Sequence, residues 1–331
     1  MLADIVVGVQ HGDEAKGKVT HYLCRTHDYT HVLRFNGGCN AGHTIYHEGK
    51  KFVTHHIPAG VFYGVKSIIG SGCVLNVEQF FKELQELEDG GIDTKNKIFV
   101  AENAHVITEE HIQEENSEKK IGTTKRGNGP AYRDKYSRRG VQAKEVPALK
   151  PFLINLYDEF FNNSDVKILC EGAQGFGLDI DWGDYPYVTS SHCTSSGALL
   201  NGIPPQWVNQ VWGVGKIYET YVGSKSFEPE DEIFEEIRDV GEEYGATTGR
   251  PRQCNWLNMD ELIKALKVNG VNRLVLNKLD VLEKVGKWLL INEGTELTFN
   301  TEKDMTDFIT SSLSCLPQLK EIYFSSSKDK I

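Results

Sequence analysis

The chain has 331 residues and a mass of 37.2 kDa, with 39% hydrophobic, 10% aromatic and 25% charged residues. That supports a sizeable core and excludes a disordered chain. The 36 Lys and Arg against 47 Asp and Glu leave a formal net charge of −11, which excludes a general nucleic-acid binder because phosphate neutralisation needs a basic surface. Small anionic ligands stay open, since they need only a few placed cations and backbone N–H groups.

In chain order, β-branched runs predict strands over residues 4–8, 68–70, 98–101, 167–170, 211–217, 273–277 and 321–324. Amphipathic runs predict helices over residues 16–26, 77–87, 148–161, 259–268 and 303–312. Residues 289–291 and 296–299, split by Glu293 and Gly294, read as a hairpin. The alternation implies an α/β fold, a largely parallel sheet covered on both faces. The charge run from Glu109 to Lys120 reads as a solvated helix face, and nothing resembles a linker, so residues 1–331 are expected to form one domain.

No apolar run reaches membrane-spanning length, and the first apolar stretch, lacking a basic flank and ending at Gln10, reads as a buried strand and not a signal peptide. Seven widely spaced cysteines without Cys-x-x-Cys point to reduced thiols in a cytosolic protein over a disulfide framework or a zinc site. No His-Glu-x-x-His occurs, which argues against a zincin.

The 32 glycines gather in loops. Gly12-Asp13-Glu14-Ala15-Lys16-Gly17-Lys18 follows the first strand with P-loop-like spacing, so backbone N–H groups and a lysine are expected to cradle phosphate. The next residue, Val19, lacks the hydroxyl that a P-loop puts on Mg²⁺; Asp13 is the alternative ligand from inside the loop. Asn277-Lys278-Leu279-Asp280 ends a β-rich run, and its Asp carboxylate suits guanine, whose N1–H and 2-amino group donate side by side. A regulatory GTPase fails on Val19 and on the lack of any Asp-x-x-Gly switch. A GTP-using enzyme remains, with a guanine-nucleotide-binding regulatory module as the other class.

Further loops carry more chemistry than a switch needs. Gly37 to Thr44 sets Asn40 and His43 in what reads as a glycine-rich, flexible turn. Gly122 to Pro130 has the hydroxyls, cations and glycines of an anion cradle. Glu171-Gly172-Ala173-Gln174-Gly175 follows a buried strand and aims its polar tip at the carboxyl end of the sheet. Thr247, Thr248, Arg250 and Arg252 suit carboxylate or phosphate recognition.

Taken in order, these loops resemble the adenylosuccinate synthetase family, which joins aspartate to IMP at the expense of GTP. The likeness runs through residues 10–18, 37–44, 122–140, 171–197, 220–227, 241–256 and 269–282. It implies a single α/β domain around a mainly parallel mixed sheet with helices on both faces, a homodimer, Mg²⁺ as cofactor and GTP as phosphoryl donor. By the resemblance Asp13 is the general base and a Mg²⁺ ligand, the Gly42 carbonyl a second ligand, and His43, Lys16 and Gln174 act beside it. The resemblance assigns Asn40, Thr124, Gln174, Thr189, Val222 and Gly223 to the purine monophosphate, with Arg138 reaching in from the partner subunit. Thr247, Thr248 and Arg250 would hold aspartate. Gly12, Glu14, Ala15, Lys16, Gly17, Lys18, Gly42, His43, Thr44, Arg252, Lys278, Asp280, Ser325 and Ser327 would contact GTP.

The chain also departs from the family pattern. His11 replaces the usual Trp, Ala15 and Lys125 replace Gly, Gln253 replaces Arg, and residues 325–330 lack the usual Gly-Pro. Its compact length resembles archaeal forms and the phage relatives that make 2-amino-adenylosuccinate from dGMP. Asp13 can accept from N1–H alone or from N1–H and a 2-amino group, so IMP is the expected acceptor and GMP or dGMP the alternative. The expected location is the cytoplasm, that of a host if the chain is phage-encoded.

Overall fold

A computed structural model describes residues 1–40, 42–118, 121–245, 249–327 and 330–331. Its strands begin with β1 (Leu2–Gly8), β2 (His31–Arg34), β3 (His43–His47), β4 (Lys50–Thr54), β5 (Lys66–Ile69), β6 (Val74–Leu75), β7 (Ile98–Ala101), β8 (His105–Val106) and β9 (Leu153–Ile154). They continue with β10 (Lys167–Glu171), β11 (Val208–Lys216), β12 (Tyr218–Tyr221), β13 (Gln253–Asn258), β14 (Arg273–Asn277), β15 (Trp288–Asn292), β16 (Thr295–Phe299) and β17 (Glu321–Ser325). The first helices are α1 (Lys16–Thr26), α2 (Val77–Asp89), α3 (Glu109–Asn116), α4 (Asn128–Tyr136) and α5 (Leu156–Phe161). After them come α6 (Ser196–Leu199), α7 (Ile233–Gly241), α8 (Met259–Asn269), α9 (Leu279–Val285) and α10 (Glu302–Leu313).

Among the described residues nine strands form one sheet in the order β17-β14-β11-β1-β10-β2-β5-β7-β9, and every pairing in it is parallel. The mixed character lies in a second sheet, β12-β13-β15-β16, where β13 and β15 are parallel and the outer pairs antiparallel. Central β1 shows why its run is apolar throughout. Ile5 and Val7 pack with Leu262 and Leu266 of α8 on one face, and Val6 packs with Val19 and Leu23 of α1 on the other. No helix of the described residues is long and apolar enough to cross a membrane, and all seven cysteines are free thiols, six of them buried.

Two expectations are corrected. The helix predicted over 148–161 is broken into a 3-10 turn (Pro147–Phe152), edge strand β9 and short α5. Pro151 removes a helical donor, and Asn155 starts a new helix by accepting from the Asp158 N–H at 3.1 Å. The charge run from Glu109 is helical only to Asn116, and its face is not wholly solvated, since His111 and Glu115 are buried.

Candidate active site

Because the nine strands point the same way, their carboxyl ends meet on one edge, and the chain leaves each strand there. The segments after β1, β2, β10, β14 and β17 carry Asp13, Asn40, Gln174, Lys278 and Ser327 respectively. Asp13, Ala15, Gln174 and Lys278 all have left-handed backbones, with φ of 59°, 70°, 57° and 72°. Such strain in non-glycine residues persists only where the surroundings over-determine it, and it gathers at functional sites.

His43 is the first residue of β3 and buried, so it does not lie in a flexible turn. The alternation of Thr44, Ile45 and Tyr46 and the left-handed pair Glu48 and Gly49, with φ of 48° and 77°, make β3 and β4 a tight hairpin. His43 Nδ1 lies 2.6 Å from Glu171 Oε1 at the end of β10, and Arg34 Nη1 of β2 lies 2.7 Å from the same oxygen. Burial first, then the Arg34 charge, pulls the imidazole down to about 4, against the pull of Glu171. Gly17 lets α1 sit on this residue: a Cβ there would lie 3.0 Å from His43 Cβ.

Both loops read as anion cradles already hold a carboxylate of the chain itself. Glu14, fully buried, accepts from Gly12 N at 2.9 Å and Gln10 N at 3.3 Å, and Lys16 Nζ lies 2.5 Å from its other oxygen. Glu115 accepts from Gly127 N at 2.6 Å and Gly129 N at 3.4 Å, at the start of α4. Ordered carboxylates thus fill these N–H groups in the structure, in place of the open cradles expected from the glycines.

Most of the remaining candidates fall into three groups. Gln174 Nε2 donates to Asn40 Oδ1 at 2.9 Å, and Asn36 ties both loops to Ala173 and Ser191. Thr189 donates its N–H to Leu178 O at 2.8 Å in the same long segment after β10. Gly223 and Val222 border the Thr124 loop, since Ser224 N donates to Ile121 O at 3.3 Å and Arg250 Nη1 to Gly122 O at 3.3 Å. On the far side Lys18 Nζ donates to Ser325 Oγ and Ser327 O, both at 2.9 Å, and Lys278 Nζ to Gly241 O at 2.7 Å. Thr44 pairs with Val53 in the hairpin, Gly42 immediately precedes it, and Asp280 faces Lys284 at 3.6 Å. Arg138 is exposed and lies just past the end of α4, with a left-handed backbone at φ 63°. Thr247 and Thr248 lie outside the described residues.

Sequence reasoning named Asp13 and Arg252 but missed the buried groups beneath them, Glu243, Lys216 and Tyr218. Asp13 Oδ2 lies 3.0 Å from Arg252 Nε; Arg252 Nη1 lies 2.5 Å from Glu243 Oε2; Glu243 Oε1 takes Lys216 Nζ at 3.1 Å and Tyr218 OH at 2.6 Å. Burial works against the charged form of Glu243, yet Lys216 and Arg252 hold its carboxyl at about 2. The sequence signal for Lys216 and Glu243 was no more than a Lys and a Glu beside apolar runs. A cluster of Asp179, Asp181 and His192 has metal-like spacing, but the Asp179 carboxylate already accepts from the N–H groups of Asp181, Trp182, Cys193 and Thr194 and so organises its loop.

The family model described as adenylosuccinate synthetase matches residues 5–160 and 146–325. The chain belongs to the adenylosuccinate synthetase family. Its members are ligases that form a C–N bond. The adenylosuccinate synthetase of Halothermothrix orenii is 42% identical, over 84% of this chain and 77% of that protein. The solved structure of fully ligated adenylosuccinate synthetase from Plasmodium falciparum superposes with a TM-score of 0.87 at 28% identity, over 99% of this chain and 97% of the other. The cyanophage S-2L succinoaminodeoxyadenylate synthetase bound to dGMP and dATP shares the fold, with a TM-score of 0.78 at 22% identity over 99% of this chain and 93% of that one. As an adenylosuccinate synthetase family member the chain therefore has the mixed α/β fold and the ligase class that its glycine-rich loops implied.

Proposed function

We propose that the protein joins L-aspartate to C6 of IMP with GTP as phosphoryl donor, yielding adenylosuccinate, GDP and phosphate. The observation that carries the reading is the meeting of Asp13, the His43–Glu171 pair and Gln174 on one edge of the sheet, with Lys278 on the same edge. In this reading Asp13, whose side chain is 37% exposed, accepts the N1 proton, which makes O6 nucleophilic toward the γ-phosphorus. GDP leaves, the amino nitrogen of aspartate attacks C6, and the O6 phosphate departs. His43, oriented by Glu171 and Arg34, and Lys16 stabilise charge on the transferring group.

Gln174, Asn40, Thr124 and Thr189 hold the monophosphate nucleotide in this reading, and Val222 and Gly223 line its sugar. Thr247, Thr248 and Arg250 take the aspartate carboxylates. For GTP, Ala15, Gly17, Lys18, Thr44 and Arg252 serve the phosphates, with Gly12 and Glu14, bonded to each other, shaping the same loop, and Lys278, Asp280, Ser325 and Ser327 serve the guanine. Mg²⁺ fits the donor set, because the Asp13 carboxylate and the Gly42 carbonyl are hard oxygens and the former is open to solvent on one side. Bound by those two residues, it would neutralise charge on the phosphate oxygens. The reading includes one domain over the whole chain, a homodimer in which Arg138 reaches the partner's nucleotide, and the cytoplasm as location.

Purified protein with aspartate, Mg²⁺ and GTP is expected to release phosphate on addition of IMP. Faster release with dGMP would overturn the acceptor, and equal service by ATP would overturn the guanine assignment. Slow GTP hydrolysis with neither acceptor used would favour the nucleotide-binding module. D13N is expected to abolish turnover while keeping nucleotide binding measurable by calorimetry.

A further inference from the structure

Two departures from the family pattern, His11 and Gln253, converge on one loop. His11 directly follows Gln10 and precedes Gly12 and Asp13, and its side chain is only 10% exposed. Its Nδ1 lies 3.2 Å from Glu219 Oε2 on β12, and its Nε2 lies 3.1 Å from Asp184 Oδ2 in the segment that leads to Thr189. Lys225 closes on the same Asp184 oxygen. The ring meets Phe227 edge-on at 5.0 Å and Tyr221 at 6.0 Å between centroids. Gly177 makes room for it, since a Cβ there would lie 2.5 Å from the ring.

Gln253, at the start of β13, grips the same loop through its backbone. Its Oε1 accepts from Phe227 N at 2.9 Å and Glu228 N at 3.3 Å, and its Nε2 donates to Lys225 O at 2.8 Å and Gly223 O at 3.2 Å. All four polar positions of one amide side chain are thereby spent on residues 223–228. The loop's other side rests on the Thr124 loop, through Ser224 N and Ile121 O. A tryptophan and an arginine could not make this set: indole has one donor and no acceptor, and guanidinium has no acceptor for the N–H groups of Phe227 and Glu228.

We propose that His11 and Gln253 are positioning residues that clamp the 222–227 loop against the loop bearing Asp13, and so set how the sugar of the acceptor nucleotide is held. Neither side chain touches the reacting atoms. They act through the backbone of Gly223 and through Asp184, and thus on the acceptor subsite and not on the GTP side of the sheet edge.

The inference rests on the reading of a purine nucleoside monophosphate as acceptor, so wild-type binding of IMP and dGMP by calorimetry comes first; binding of neither would defeat that reading. H11A, Q253A and D184N are then compared for kcat and for KM of IMP, GTP and aspartate. The expected result is a KM for IMP raised about tenfold or more, with KM for GTP within about twofold and a changed preference between IMP and dIMP. Amide exchange at Phe227 and Glu228 is expected to quicken in Q253A by at least about tenfold. Asp184 is half exposed, so D184N serves if either alanine variant fails to fold. A KM for IMP that stays put while the loop loosens, or KM values for all three substrates that rise together, would overturn the proposal.

Discussion

Ala15 and Lys125 stand where the family resemblance expects glycine, and both keep glycine's backbone, with φ of 70° and 57°. An L-residue pays roughly 1–2 kcal/mol for the left-handed region, partly offset by the lower entropy of its unfolded chain. A15G and K125G are each expected to raise stability by about 1 kcal/mol, measured by urea unfolding at constant m. An unchanged or lower midpoint would show that side-chain packing compensates the strain. These two positions were legible as substitutions, but their retained conformation was not, because φ is imposed by the strand-to-helix corner and the α4 N-terminus that flank them. His43 shows the same division. Its residue type drew notice, yet Glu171 reaches it from β10, 128 residues away in sequence, and Arg34 from the neighbouring strand β2.

Between elements, the buried charges join the end of β11, the start of β12, the segment between α7 and β13 and the Asp13 loop. Lys216 and Glu243 are both about 1% exposed, and removing one partner of such a pair typically costs about 3–5 kcal/mol. The Glu243 carboxyl, lowered from 4.5 to about 2 by Lys216 and Arg252 against its burial, contributes stability that is complete above pH 4.5 and fades as pH falls toward 2. E243Q is therefore expected to melt well below wild type at pH 7, with the gap narrowing between pH 4.5 and 2 in circular-dichroism melts. A gap that stays constant with pH would show that Glu243 is not charged in the folded protein. Most elements were predictable where apolar period and caps agreed: α8 begins at Asn258, whose side chain accepts from the N–H groups of Asp260 and Glu261. The 148–161 helix failed because periodicity there ran through Pro151 and past the cap at Asn155. Strands β2 and β12 were missed because each is buried at every position while carrying charged or polar residues, so neither an apolar run nor an alternation marks them.

At the scale of the whole molecule, the exposed Arg138 past the end of α4 is the residue that tests the proposed homodimer. Mixing inactive R138A and D13N proteins after mild dissociation is expected to restore activity, to about a quarter of wild type at random reassociation. In the mixed dimer one site has both Asp13 and a partner arginine. No recovery, with mixed dimers demonstrated by mass spectrometry, would confine Arg138 to its own subunit. The sequence alone determined the alternation of strand and helix, the family and the identity of the loop residues, because periodicity, glycine spacing and motif order are local properties of the chain. Only the tertiary structure decided that β1 lies between β11 and β10, that the sheet's carboxyl edge gathers these loops, and that Glu14 and Glu115 fill the expected cradles. Those outcomes depend on register and on charges buried far from their neighbours in sequence, where the free energy of pairing is set by which strands lie side by side.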